Sequence, residues 1–205
     1  MKAILGKKIG MTQIFTASGK MVPVTAIEAT PNFVIGHRTP ERDGYQAVVL
    51  GFGAKKRTTK PLAGQLKAVG IDTKVAKITE FAASGDLPEI TSTVDITAFA
   101  PGDFVDVTGV SKGKGYAGVI KRHGFSRGPE THGSDHHRKP GSIGQMFPQR
   151  VVAGKKMPGH MGSQRITVSK LEVMEVHPDK HILLIKGAVP GSNGTVLEIR
   201  GRDHV

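Results

Sequence analysis

Ile166-Thr167-Val168-Ser169-Lys170-Leu171-Glu172-Val173-Met174-Glu175-Val176 is the stretch whose reading decides the fold. Ile166 and Val168 recur every second residue, and so do Leu171 and Val173, the period that lines one face of a strand. Between the two pairs the alternation slips by one residue, at Lys170. One extra residue flips the face of everything that follows, so the slip predicts a β-bulge there. Outward from this strand the same pattern repeats in short runs. Pro178-Asp179-Lys180 leads into residues 181–186, and Pro190-Gly191 precedes residues 195–200, which makes two further strands. Near the N-terminus, residues 11–16 and 21–28 around Ser18-Gly19 read as a hairpin. Residues 32–38 and 45–52 flank Pro40-Glu41-Arg42-Asp43-Gly44 and predict a second hairpin closed by an Asp-Gly turn. Residues 94–98 and 104–108, joined by Ala100-Pro101-Gly102-Asp103, predict a third pair. The fold class is mainly β, and closure into a small barrel would remove exposed strand edges.

Two stretches depart from this pattern. Leu62, Leu66 and Val69 stand at helical spacing behind Pro61, predicting a short helix or two up to about Phe81. This marks a small helix-containing portion at about 58–85, appended to a body made of residues 1–110 and 165–205. The second departure is residues 111–164, between two credible strands. This stretch carries ten Lys and Arg against two acids, Glu130 and Asp135, a net of +8. It also holds eleven glycines and five of the nine histidines, and only residues 115–121 look helical. A connection this long without its own core is either functional or disordered. Tyr116, Phe125, Ile143, Met146, Phe147 and Met157 are side chains that a solvated linker does not usually carry. The reading is therefore a basic, Gly-rich loop extension that is ordered by an anionic surface.

Global charge points the same way. Lys and Arg number 29 against 17 acids, giving +12, an excess that calls for an anionic partner. Nucleic acid, an anionic membrane surface and an acidic protein are the classes available. No apolar run approaches the roughly 18 residues of a membrane span, and the start Met1-Lys2-Ala3-Ile4-Leu5-Gly6-Lys7-Lys8 has no signal-peptide core. The absence of cysteine excludes disulfides and thiolate zinc sites, and it suits a reducing cytosol.

Several motifs invite an enzymatic reading and fail it. Gly113-Lys114-Gly115-Tyr116-Ala117-Gly118 matches the dinucleotide fingerprint. The chain nevertheless lacks alternating strands and helices, and no ribose-binding acid follows about 20 residues on. Glycines that admit phosphate to backbone N–H groups serve polymer phosphate equally well, with Lys112, Lys114, Lys121 and Arg122 alongside. His132, His136 and His137, with His123 and His160, lie among turn residues without a matching carboxylate or cysteine set; hydrogen bonding and stacking on RNA suit them better than metal. Ser111, Ser126, Ser134 and Ser142 stand in no nucleophile motif. Lys7-Lys8 and Lys55-Lys56-Arg57 with Lys60 read either as a solvated face or as part of the RNA-facing surface. No catalytic residue, metal ligand, cofactor or small-molecule substrate is expected.

Phe99, Asp106, Gly109, Ser111, Gly113, Lys114, Gly115, Gly118 and Arg122 stand at the signature spacing of a known family. The chain resembles the universal large-subunit ribosomal protein three family, in its bacterial form. Gly6-Lys7-Lys8-Ile9-Gly10-Met11-Thr12 is similar to the family's start, and Thr131-His132-Gly133, Pro140-Gly141-Ser142-Ile143-Gly144-Gln145, Gly154-Lys155-Lys156-Met157, Gly159-His160-Met161-Gly162 and Lys186-Gly187-Ala188-Val189-Pro190-Gly191 resemble later motifs. The resemblance implies a translation-protein-type β-barrel with a second small globular portion. It implies a structural constituent of the large subunit that binds 23S rRNA near its 3′ end, nucleates assembly and extends a loop toward the peptidyl transferase centre. It further implies neighbouring large-subunit proteins as partners and a cytoplasmic place in the ribosome. Residues 145–150 would lie near the inner tip of the extension. One departure is Phe147, which stands where some bacterial members carry a methylated glutamine.

The residues expected on rRNA are Lys7, Lys8, Lys55 and Lys56 on the body. In the extension they are Lys112, Lys114, Lys121, Arg122, Arg127, His132, His136, His137, Arg138, Lys139, Gln145, Arg150, Lys155, Lys156 and His160. Tyr116, Phe125 and Phe147 are stacking candidates, with packing in a small cluster as the alternative for each. A free-standing RNA-binding or RNA-chaperone module is the competing function.

Overall fold

The computed structural model describes residues 2–83, 85 and 87–202. Its strands in chain order are β1 (Ala3–Phe15), β2 (Met21–Glu28), β3 (Asn32–Arg38), β4 (Ala47–Ala54), β5 (Val75–Ala82), β6 (Thr93–Val94), β7 (Phe104–Val110), β8 (Tyr116–Ala117), β9 (Gly159–His160), β10 (Arg165–His177), β11 (Ile182–Lys186) and β12 (Val196–Gly201). Three short helices interrupt them: α1 (Pro40–Asp43), α2 (Lys60–Ala68) and α3 (Val119–His123). The chain divides into two compact units, one of Met1–Val110 with Arg165–Val205 and one of Ser111–Gln164.

In the first unit, six strands close a barrel in the order β1-β12-β7-β10-β11-β2, each pair antiparallel. Alternation decides which side chains fill it. Ile4, Ile27, Val105, Val107, Val173, Leu183, Ile185, Leu197 and Ile199 point inward, and Ile96 and Phe99 join them. The bulge expected from the slip is present. Val168 pairs with Val107 and Leu171 with Val105, so Ser169 and Lys170 together face Asp106 alone. Lys170 takes a left-handed φ of 57°, and its N–H, freed from the ladder, donates to Asp106 Oδ1 at 3.0 Å. The signature aspartate therefore holds the bulge in place.

A second sheet, β5-β4-β3-β6, lies beside the barrel with both faces covered. Val34, Val48, Leu50 and Phe52 pack with Ala3 and Leu5 of β1, while Ile35 and Val75 pack with Leu66 of α2 and with Ile71. The fully buried Asn32 joins sheet and barrel. Its Oδ1 accepts the Leu5 N–H at 2.9 Å, and its Nδ2 donates to the carbonyls of Leu5 at 3.1 Å and Thr30 at 2.9 Å. One side chain thus supplies the hydrogen bonds that a neighbouring strand would otherwise give to β1.

Four expectations are corrected. The connection at 40–44 is one helical turn, α1, ended by Gly44 at φ 82°, and not a plain Asp-Gly turn. Residues 96–98 form a 3-10 turn, and Thr93–Val94 pairs with β3, so the third hairpin does not exist. The turn at 100–103 does form, with Ala100 N–H donating to Asp103 Oδ2 at 2.9 Å, but β7 pairs with β10 and β12. Barrel closure offers β7 two long neighbours, which outweighs its sequence neighbour. Helix α2 stops at Gly70, in φ 78°, and residues 75–82 become β5, because Val75, Ile78 and Phe81 pair along β4. In the second unit, the expected helix at 115–121 is displaced to Val119–His123, since Tyr116 and Ala117 pair with His160 and Gly159.

Candidate nucleic-acid interface

The Ser111–Gln164 unit has almost no core; Ala117 and Val119 are its buried apolar residues. What holds it is a neck of two antiparallel segments. Ser111 N–H donates to the Gln164 carbonyl at 2.9 Å, Lys114 N–H to the Met161 carbonyl at 2.9 Å, and Met161 N–H to the Gly115 carbonyl at 2.9 Å. The segments approach so closely that glycine is required. A Cβ at Gly162 would collide with the Lys112 carbonyl oxygen, and one at Gly113 would stand 2.9 Å from Ser163 Oγ. Gly115 adds a left-handed φ of 64°. The apparent dinucleotide fingerprint is therefore the chemistry of this crossing, and Gly118 caps a helix of only five residues.

Helix α3 braces the return segment. Arg122 Nη1 donates to the Met157 carbonyl at 2.7 Å, and His123 Nε2 donates to the same oxygen at 3.0 Å. Gly159 lies against the Arg122 guanidinium, where a Cβ would come within 2.7 Å of Nη1. Around this brace, Lys112, Lys114, Arg122, His123 and His160 line a cleft of about 430 Å³. No acid lines it, so five potentially cationic side chains converge on one concavity. Further out, residues 127–138 fold back on themselves. Gly128 N–H donates to the His137 carbonyl at 2.9 Å, and His137 Nδ1 donates to the Pro129 carbonyl at 2.8 Å. Residues 138–156 are exposed without a break. Within that run Met146 is 82% and Phe147 72% accessible, and Gln145, Arg150 and Lys155 border a second cleft of about 500 Å³.

The expected RNA-facing residues therefore fall into distinct places. Lys112, Lys114, Arg122 and His160 share the neck cleft, and His123, read with the other histidines as suited to RNA, joins them. Lys121, His132, His136, Arg138, Lys139 and Lys156 are exposed, and Arg127 is paired with Glu130 at 2.9 Å. Among the described residues the other nine Lys and Arg of this unit form no ion pair with a carboxylate. On the body, Lys7, Lys55 and Lys56 are exposed. Lys8 is turned inward: it is 6% accessible, and its Nζ donates to the carbonyls of Val189 and Gly191, each at 3.0 Å. Of the stacking candidates, Tyr116 and Phe147 present open rings, whereas half-buried Phe125 packs with its ring 6.2 Å from that of His123. Among the described residues no group of three or more His, Asp or Glu is placed to hold a metal ion.

A glycine-built basic neck followed by a long exposed basic tip, in a chain that also forms a closed barrel, agrees with the comparisons to known proteins. The family model described as Ribosomal protein L3 matches residues 53–181. The chain belongs to the ribosomal protein L3 family. It is 48% identical over 201 residues to large ribosomal subunit protein uL3 of Pelotomaculum thermopropionicum, covering 97% of this chain and 96% of that protein. It is 50% identical over 201 residues to uL3 of Streptococcus uberis, with the same coverage of 97% and 96%. L3 proteins are structural components of the large ribosomal subunit and not enzymes.

Proposed function

We propose that this chain binds 23S rRNA directly near its 3′ end, nucleates assembly there, and sends residues 111–164 inward toward the peptidyl transferase centre. Its partners are that rRNA and neighbouring large-subunit proteins, in the cytoplasm. The observation that carries the proposal is the chemistry of the Ser111–Gln164 unit: nine cations without carboxylate partners among the described residues, and nineteen successive exposed residues, 138–156, that include Ile143, Met146, Phe147, Val151 and Val152. Such a surface is incomplete in water. Phosphates neutralise its charge, and unpaired bases cover its apolar side chains. The body stays outside this contact as a scaffold, with Lys7, Lys55 and Lys56 as further contacts.

Binding to a transcript of the 3′-terminal domain of large-subunit rRNA, with salt titrated and an unrelated RNA of equal length as competitor, tests the proposal. Affinity should survive competition and fall with salt at a log–log slope of about −0.7 per phosphate contact, for roughly six to nine contacts. Equal affinity for the two RNAs at every salt would reject it in favour of a generic basic RNA binder.

A further inference from the structure

Residues 55–77 hold a second concentration of charge. Seven cations (Lys55, Lys56, Arg57, Lys60, Lys67, Lys74 and Lys77) stand against one acid, Asp72, a net of +6 in 23 residues. All seven are exposed. With +8 in residues 111–164, the rest of the chain is net −2 against a total of +12. Two separate segments therefore carry all of the excess, and the one on the body calls for an anionic polymer of its own.

Beside this segment lies a cleft of about 620 Å³ lined by Lys7, Glu28, Thr30, Phe33, Gly53 and Thr73, among others. A smaller cleft that holds Lys55 and Arg57 adjoins it, the two sharing Ala76. Lys7 and Glu28 are direct partners across the β1–β2 ladder, yet no ion pair joins them. Among the described residues the Glu28 carboxylate and the Thr30 and Thr73 hydroxyls have no hydrogen-bond partner. Gly53, at φ 72°, leaves the wall open; a Cβ there would stand 3.4 Å from that of Ala76.

The cleft thus combines the aromatic Phe33 and the half-buried Glu28 carboxylate with exposed Lys7, and Lys55 and Arg57 line the cleft beside it. A phosphate is repelled from Glu28 but attracted to Lys7, Lys55 and Arg57, so the cleft suits a nucleotide inserted base first. A carboxylate has two acceptor oxygens and no donor. Guanine is the base whose Watson–Crick edge presents two adjacent donors, N1–H and the N2 amine. Adenine and cytosine present an acceptor nitrogen beside their amine, and uracil flanks its single N–H with carbonyls, so each opposes one carboxylate oxygen. Phe33 supplies the stacking face, as aromatic side chains do for unpaired bases in RNA.

We propose that this cleft receives one unpaired guanine of the bound RNA, with Glu28 reading its edge and Lys7 its phosphate. The inference rests on the RNA-binding reading above and adds a base-specific contact on the body. The test uses the full chain and labelled oligouridine nonamers that carry one central guanosine, inosine or adenosine, read by fluorescence anisotropy. Guanosine should bind about tenfold tighter than adenosine, the effect of one additional hydrogen bond to a charged acceptor, with inosine between because it lacks the N2 amine. Glu28→Gln should abolish the preference for guanosine or turn it toward adenosine, whose amine and acceptor nitrogen match the amide's oxygen and NH2, without changing the melting temperature. Lys7→Gln should weaken all three oligomers alike. Equal affinities in the wild-type chain, or a preference that survives Glu28→Gln, would overturn the proposal. Displacement of the guanosine oligomer by micromolar guanosine monophosphate would also overturn it, because the site would then serve a free nucleotide. Retained binding of the 3′-terminal rRNA domain in these variants separates failure of the guanine site from failure of the rRNA assignment.

Discussion

The body and the extension solve the problem of charge in opposite ways. The body carries nineteen Lys and Arg beside fifteen acids, whereas residues 111–164 carry ten beside two. Body charges meet in pairs: Lys2 with Asp103 at 2.8 Å, Arg38 with Glu80 at 2.9 Å, Lys186 with Glu172 at 2.7 Å. The body also encloses thirteen buried residues in its barrel core, while the extension buries two apolar residues in all. Folding stability resides in the first unit, since burial of apolar area is the main favourable contribution to it. The extension leaves most of its cations and large apolar side chains exposed. Its order rests on a few backbone hydrogen bonds and on glycines that permit close approach.

The largest effect is expected from breaking this contrast on the extension side. Alanine at Lys112, Lys114, Lys121, Lys155 and Lys156 should reduce the magnitude of the salt slope by about 3.5 and weaken rRNA binding about a thousandfold near 0.1 M salt. The thermal unfolding of the body should stay in place. A matching loss of body stability would show that the two units are not energetically separate.

Lys8 sharpens the comparison, because it lies in a basic doublet but belongs to the core. Lys8→Met should destabilise the chain by about 2–4 kcal/mol, by leaving the Val189 and Gly191 carbonyls without that donor. Its salt slope for RNA should not change. A reduced slope with unchanged stability would return Lys8 to the RNA-facing set. Lys170→Gly is expected to be neutral or stabilising by up to roughly 1 kcal/mol, since the bulge holds a left-handed φ of 57° that glycine adopts without strain. Denaturant unfolding at constant m-value would measure it.

The smallest effect concerns pH. Hydrogen bonds from Tyr45 and Arg38 hold the Glu80 carboxyl below the usual glutamate range, while the same network raises Tyr45 and Arg38. A folded-state pKa that is depressed contributes stability above the unfolded pKa of about 4.3 and loses it as the pH falls further. Glu80→Gln should therefore flatten the acid limb of the stability profile slightly, because the group is exposed and screened. Its profile should match the parent at the lowest pH. An unchanged acid limb would dismiss the network as a contributor.

Local patterns reached far into this fold. The slip at Lys170 located the bulge to the residue, because a period of two allows no other way to keep Ile166, Val168, Leu171 and Val173 on useful faces. The charge of residues 111–164 and their poverty in core residues were equally plain. Non-local pairing was not legible. Residues 94–98 and 104–108 looked like neighbours, yet β7 found its partners at β10 and β12, far along the chain. Residues 75–82 carried a strand pattern that helix-forming neighbours obscured until β4 supplied a partner.

The sequence by itself determined the β class, the bulge and the basic, glycine-rich character of the extension, since each depends on residue type and local spacing. Only the tertiary structure decided which cations are available. Lys7 and Lys8 are adjacent and alike in type, but successive strand side chains face opposite ways, so one meets solvent and the other the carbonyls of a distant loop. Only the tertiary structure, too, brought Arg122, His123 and His160 into one cleft with Lys112 and Lys114, because the neck that joins them pairs residues nearly fifty positions apart.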